Sequence, residues 1–240
     1  MTASERAHIL LNRVRALHDE WARVVRGLDE EAVHAPSALP GWTRAHLLSH
    51  LARNADGLAN LLTWAKTGVE TPMYAGEAAR DDDIEKGAYR SAEEIAEDVV
   101  GSAARLVEVA ESLPDDAWWV RVRARQGREI PAEFVLWLRL SETAIHLADL
   151  DFGYDFDRVA DLLGDEFDTV VGNAIGMYAG ELPAVLLIAA EENGYRHEWR
   201  MSEGELEPLT GTRGEVLAWI TGRSDGSTLD GVAPPLPNWL

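Results

Sequence analysis

The chain has 240 residues, 46% of them hydrophobic and 27% charged, with a formal net charge of −20 at pH 7. That length suffices for one large domain or two smaller ones, and such acidity repels phosphate backbones, which argues against a nucleic-acid partner. No cysteine is present, which excludes disulfides, thiolate metal sites and a cysteine nucleophile, so any thiol chemistry needs a thiol that arrives on a small molecule.

The N-terminal stretch alternates charged with apolar residues and lacks the uninterrupted apolar core of a signal peptide. No run of 18 apolar residues occurs, so no transmembrane helix is expected and the cytoplasm is the expected compartment. Ile9, Leu10, Val14, Leu17, Trp21 and Val24 recur at helical spacing and predict a long helix over about 4–27. A loop with Pro36 and Pro40 follows. Thr43 then suits an N-cap, and Leu47, Leu48, Leu51, Leu58, Leu61 and Leu62 continue a second helix to about Lys66, which Gly68 ends. Residues 68–90 show no clear period and read as a long loop, either a solvated acidic connection or a segment that closes over bound ligands. Ser91 and Glu94 form a capping box for a third helix that stops before Pro114. Residues 118–130 alternate and predict a short hairpin turning at Gln126-Gly127. Pro131 is placed as the first residue of a fourth helix, with Glu133 in its first turn and an end near Gly153. Four such helices make a bundle.

Beyond Tyr154 the pattern changes. A fifth helix is expected over about 158–178. The apolar run at 182–190 suits a buried strand, Glu192-Asn193-Gly194 a hairpin turn, and 195–201 a returning strand. Residues 207–211 suggest a third strand, 212–222 a short helix, and the proline-rich 232–240 an extended tail. The expected fold class is α+β: a four-helix bundle over 1–155, then a small α/β domain over 156–240.

Within the fourth helix, Glu142 and His146 stand four residues apart. That spacing puts both side chains on one face, one turn apart. With a histidine from the second helix, His46 or His50, they would make a three-ligand metal set that leaves a fourth position open, as catalytic zinc does. A bland reading fits the same pattern. Arg139, Glu142, His146 and Asp149 lie on one arc of the helix, away from Phe134, Trp137, Ile145 and Ala148, as a stripe of solvated ion pairs would. His46 shares a face with His50, so spacing leaves open which of the two ligates. His8, His18, His34 and His197 are scattered and read as structural or surface residues. Trp42, Trp64 and Trp137 fall near the candidate site, where core packing accounts for most such residues.

The segment GWTRAHLLSHLARNADGLANLLTWAKTG with the following ETPMY resembles the mycothiol-dependent maleylpyruvate isomerases, within the wider DinB-like group of metal-binding four-helix bundles. The similarity continues through RARQGREIPA, the helix with Trp137, Glu142 and His146, the GRSDG segment and the PPLPNWL tail. The resemblance implies zinc held by His50, Glu142 and His146, with His46 a neighbour rather than a ligand. It also implies an arginine needed for activity, which matches Arg223, and a small α/β second domain. Mycothiol would bring the thiol, and maleylpyruvate would be converted to fumarylpyruvate in gentisate breakdown. Reversible addition of a thiolate turns the substrate's C=C into a rotatable single bond. The negative charge that develops needs a nearby cation, for which Arg223 is the candidate. Arg80, Arg125 and Arg128 are further candidates for drawing in a dianionic substrate. The expected partners are therefore mycothiol and a small electrophile, with no nucleic acid or membrane and a monomeric chain. A mycothiol S-transferase acting on another electrophile, or a non-catalytic metal- or ligand-binding protein on the same bundle, would carry the same site. A zinc hydrolase ranks lower, because no HExxH-type motif with a dedicated base is present.

Overall fold

The computed structural model describes residues 2–178, 182, 184–190, 194–203 and 207–236. They form two compact units, Met1–Asp151 and Phe152–Leu240.

The first unit is a helical bundle with two additions. Helix α1 (Ala3–Val25) starts at a capping box in which Thr2 and Glu5 satisfy each other's backbone groups. It buries Leu10, Leu11, Val14, Leu17, Trp21 and Val24. Ile9, placed by periodicity on the core face, is instead 49% exposed, and Leu11 takes the inward position. Asp29 caps the short helix α2 (Glu30–His34). Helix α3 (Arg44–Thr67) begins at Thr43, whose hydroxyl caps the His46 N–H, and stops at Gly68, whose φ of 73° closes the last turn. Its Leu47, Leu48, Leu51, Leu58, Leu61 and Leu62 are all 0% exposed, each contributing about 1.5–3 kcal/mol by burial.

The stretch read as a loop over 68–90 contains a helix, α4 (Glu77–Ala88). Only Ile84, Gly87 and Ala88 of its twelve residues are buried, too narrow a stripe to register as a period. It packs on α3 through a close approach at Gly87, where an added Cβ would sit 2.0 Å from Ser49 Oγ and 2.9 Å from its Cβ. Helix α5 (Ala92–Glu111) opens on the Ser91–Glu94 capping box.

Strands β1 (Arg121–Arg123) and β2 (Glu129–Pro131) pair antiparallel, with Val122 opposite Ile130. They are joined by a 3₁₀ turn over Arg125–Gly127. Pro131 thus ends a strand rather than beginning a helix. A two-stranded ladder leaves it an edge position where its missing N–H is not needed, and Ala132 N–H donates to the Val120 carbonyl instead. Helix α6 (Glu133–Asp149) follows. Helices α1 and α3 each pack on both α5 and α6, which closes the four-helix bundle.

In the second unit the expected single helix is broken. Gly164, with φ 52°, separates α7 (Phe156–Leu163) from α8 (Phe167–Met177), with a 3₁₀ turn between them. Strands β3 (Val185–Ala190), β4 (Arg196–Arg200) and β5 (Glu207–Gly211) form one sheet in the order β4-β3-β5. The β3–β4 pair is antiparallel and β3–β5 parallel. Part of the hairpin turn at Glu192-Asn193-Gly194 and the last four residues of the tail lie outside the described residues; 232–236 carry no regular secondary structure. Helix α9 (Arg213–Ile220), capped by Thr212 and Glu215, packs on α7, α8, β3 and β5. The architecture is α+β, and among the described residues no helix is long and apolar enough to cross a membrane.

Candidate metal centre

Three side chains of the bundle converge. His50 Nε2 lies 3.1 Å from Glu142 Oε2, and His146 Nε2 lies 3.2 Å from the same oxygen. The two imidazoles meet edge to face with centroids 5.1 Å apart. One ligand atom from each of the three residues lies within 4.8 Å of the others. Helix α3 supplies one donor and α6 two, on faces that pack against each other.

The electrostatics suit a cation. Burial pushes the Glu142 carboxyl up, but contacts from His146 and His50 outweigh it and hold Glu142 well below the usual carboxylate range. Burial likewise lowers His146, but hydrogen bonds to Asp149 and Glu142 reverse the direction and raise it. For His50 burial prevails over Glu142 and lowers it. Glu142 is therefore an ionised carboxylate between two imidazoles.

These residues fit a divalent ion. Ligand distances of about 2.0–2.2 Å at a tetrahedral centre put donor atoms roughly 3.3 Å apart, close to the 3.1 and 3.2 Å separations observed. Asp149, 1% exposed, lies 2.8 Å from His146 Nδ1. A carboxylate there fixes the proton on Nδ1 and leaves Nε2 as the donor atom, the usual support of a metal-bound imidazole. Spacing places Asp149 on the same arc as Glu142 and His146 but gives it no role, although its position three residues past His146 is a usable signal.

His50 has a different companion. Its Nδ1 faces Arg80 Nη2 at 3.2 Å. With Nε2 on a metal, Nδ1 would carry the proton and this contact would have to open. The Arg80 guanidinium also lies over the Tyr74 ring, 5.9 Å from its centroid. Tyr74 is raised by burial and by the Glu142 charge. It reaches α3 because Gly57 has no side chain: a Cβ there would come within 3.2 Å of the ring. Arg80 and Tyr74 line a cavity of about 230 Å³ together with Arg53, Asp56, Asn60 and Asp83.

The remaining candidates fall elsewhere. His46 is absorbed by the start of α3: its Nδ1 is 2.7 Å from Thr43 Oγ1 and its Nε2 is 3.2 Å from Glu85. Arg125 pairs with Glu77 at 2.8 Å, and the Arg128 guanidinium stands over Phe134. Trp42 packs against His50, with centroids 5.6 Å apart, whereas Trp64 lies under Arg123. Arg223 belongs to the second unit, just past α9. Its Nη1 donates to the Thr221 carbonyl at 2.7 Å, and burial raises Tyr178 against the smaller opposing effect of the Arg223 charge.

The family model described as the mycothiol maleylpyruvate isomerase N-terminal domain matches residues 14–151. Two solved structures superpose with a TM-score of 0.82 and 28% sequence identity, each alignment covering 100% of both chains. One is a mycothiol-dependent maleylpyruvate isomerase, and the other is a mutant of such an enzyme with a histidine replaced by alanine. Among curated proteins nothing matches.

Proposed function

The chain belongs to the mycothiol-dependent maleylpyruvate isomerase family, and from that membership we propose that it isomerises maleylpyruvate to fumarylpyruvate, with mycothiol as the thiol and a zinc ion held by His50, Glu142 and His146. The observation that carries the metal part is the convergence of the three donor atoms. A zinc ion bound there would supply positive charge that favours the ionised form of a thiol at the open position.

The chain's own residues divide the rest of the work. Two neutral imidazoles and one carboxylate leave a bound divalent ion with a net charge of about +1. Asp149 holds the His146 ring in the orientation that presents Nε2. Trp42 packs its ring against one side of His50. The absence of cysteine agrees with an imported thiol. Reversible thiolate addition to the alkene is the reaction class, and the negative charge it generates needs a cation. We assign that part to Arg223 on the family resemblance, because a guanidinium can bind a carboxylate or an enolate oxygen through two donors.

The deciding experiment measures maleylpyruvate turnover with and without mycothiol, beside a zinc assay on the purified protein. Turnover that requires mycothiol, with about one zinc per chain and with both lost in His50→Ala, supports the proposal. Accumulation of a stable mycothiol adduct would instead make the protein an S-transferase. Absence of both zinc and turnover would leave a non-catalytic member of the family. Arg223→Lys should keep the zinc and lose turnover; full activity in that variant would remove the arginine from the reaction.

A further inference from the structure

We propose that Arg139 is a positioning residue for the metal-binding cluster, a buried guanidinium clamp that sets the register of α6 against α3 one helical turn from the ligands. The inference rests on the metal reading of His50, Glu142 and His146.

Arg139 is 1% exposed in the middle of the bundle. Burying a guanidinium is costly unless its N–H groups are satisfied. Here its partners are uncharged. Nε donates to His18 Nε2 at 3.0 Å, and Nη1 donates to the Leu51 carbonyl and to Asn54 Oδ1, both at 2.9 Å. One side chain therefore ties α6 to α1 and to α3. A leucine or methionine would fill the same volume without the desolvation cost, so packing alone does not account for a cation here. Burial lowers its pKa only to about 10, which leaves it charged at neutral pH, and the Glu142 charge is the largest of those opposing that shift.

The placement of the clamp gives it a role. Arg139 precedes Glu142 by three residues and His146 by seven, the spacing of one helix face. On α3, Leu51 and Asn54 follow His50 by one and four residues. Because His50 meets Glu142 while Asn54 meets Arg139, the two helices run antiparallel, and the clamp forms the layer next to the ligands. Sliding α6 along α3 would break the Asn54 and Leu51 bonds and would also separate His50 from Glu142. The planar fork of arginine fixes direction as well as distance, which a flexible ammonium does not.

The test uses the full chain and two metals, zinc for affinity and cobalt(II) for geometry. Competition with a chromophoric chelator should show Arg139→Met binding zinc at least about tenfold more weakly than wild type, the range expected when a supporting shell is removed. The cobalt(II) form should lose the intense visible bands of tetrahedral coordination. Arg139→Lys, which keeps the charge and loses the fork, should weaken binding in the same direction. Asn54→Ala should do so to a smaller degree, and it serves if Arg139→Met does not fold. Leu58→Ala is the control for general destabilisation: a core truncation on the same helix, roughly 12 Å along the axis from His50. It should lower the melting temperature and leave affinity and the cobalt spectrum unchanged. The proposal is overturned if Arg139→Met binds zinc as tightly as wild type with an unaltered cobalt spectrum, if Arg139→Lys fully restores both, or if Leu58→Ala shifts them equally. Wild-type protein that binds neither metal would remove the metal reading itself, a result distinct from these.

Discussion

The hydrogen bond between His146 Nδ1 and Asp149 Oδ2 offers a quantitative check on the site. At 2.8 Å, with Asp149 1% exposed, it is a short charge-assisted bond in a poorly hydrated place. Such bonds contribute about 1.5–3 kcal/mol, and each 1.4 kcal/mol corresponds to tenfold in affinity. If the bond holds the metal-binding tautomer, its removal should weaken zinc binding by roughly 10- to 100-fold. Asp149→Ala removes the acceptor and leaves a buried N–H unpaired, so it should fall at the upper end of that range. Asp149→Asn keeps an amide oxygen that can accept the same proton without the charge, and should fall near the lower end. The assay is competition between the protein and a chromophoric chelator at fixed pH and ionic strength, with circular dichroism to establish that both apo variants are folded. A folded Asp149→Ala protein with wild-type zinc affinity would refute the reasoning, because the ring would then need no support. An Asn variant weaker than the Ala variant would refute the ordering.

Two further outcomes concern the scaffold. Burial and the Arg139 charge hold His18 well below the ordinary histidine range, so below about pH 6.5 the unfolded chain takes up a proton there that the folded chain does not. Stability should therefore fall as the pH drops through that value, with a contribution from this group approaching about 1.4 kcal/mol per pH unit; urea denaturation of His18→Gln, whose amide oxygen can still accept from Arg139, should show a shallower acid limb, and an identical slope would exclude a depressed His18. Where α4 meets α3, Gly87→Val should destabilise the protein by about 1–3 kcal/mol through overpacking against Ser49, whereas Gly101→Val on α5, where a Cβ would meet only the end of Arg105 at 3.4 Å, should cost much less; equal denaturation midpoints would mean that the helices do not pack closely at Gly87.

The bundle is readable because its helices announce themselves twice, through apolar spacing and through caps. Thr43 and Ser91 mark starts that the structure places within one residue, and Gly68 marks an end. Helix α4 gives neither signal. Its first residue follows Gly76, which provides no side-chain cap, and its charged residues leave only Ile84, Gly87 and Ala88 to be buried. Such a helix is stabilised mainly by docking on α3, and a contact between distant segments leaves no periodicity in either one. Pro131 is misplaced by sequence for a related reason. Proline suits both the first turn of a helix and the edge of a strand, and what decides between them is the pairing with Arg121, ten residues earlier.

The polar arc of α6 presents a harder problem, because a buried polar stripe and a solvated one have the same composition. Arg139, Glu142, His146 and Asp149 read as exposed ion pairs by any single-helix criterion, yet Arg139 and Asp149 are each 1% exposed and His146 is 8% exposed. The distinction lies on the other helix. His46, His50 and Asn54 recur every four residues on α3, a helix whose other buried positions are leucine and alanine apart from Ser49 and Gly57. A polar file inside an otherwise apolar face has no reason to be there unless another polar file opposes it, since unpaired buried polar groups are costly. Two such files in one chain, one per helix and each with a histidine, are the sequence signature of a buried polar seam. Glu142 does not distinguish the solvated reading from the seam. Asn54 does, because it is 5% exposed and meets Arg139, and a solvated stripe on α6 would have left it facing an apolar core with its amide unpaired.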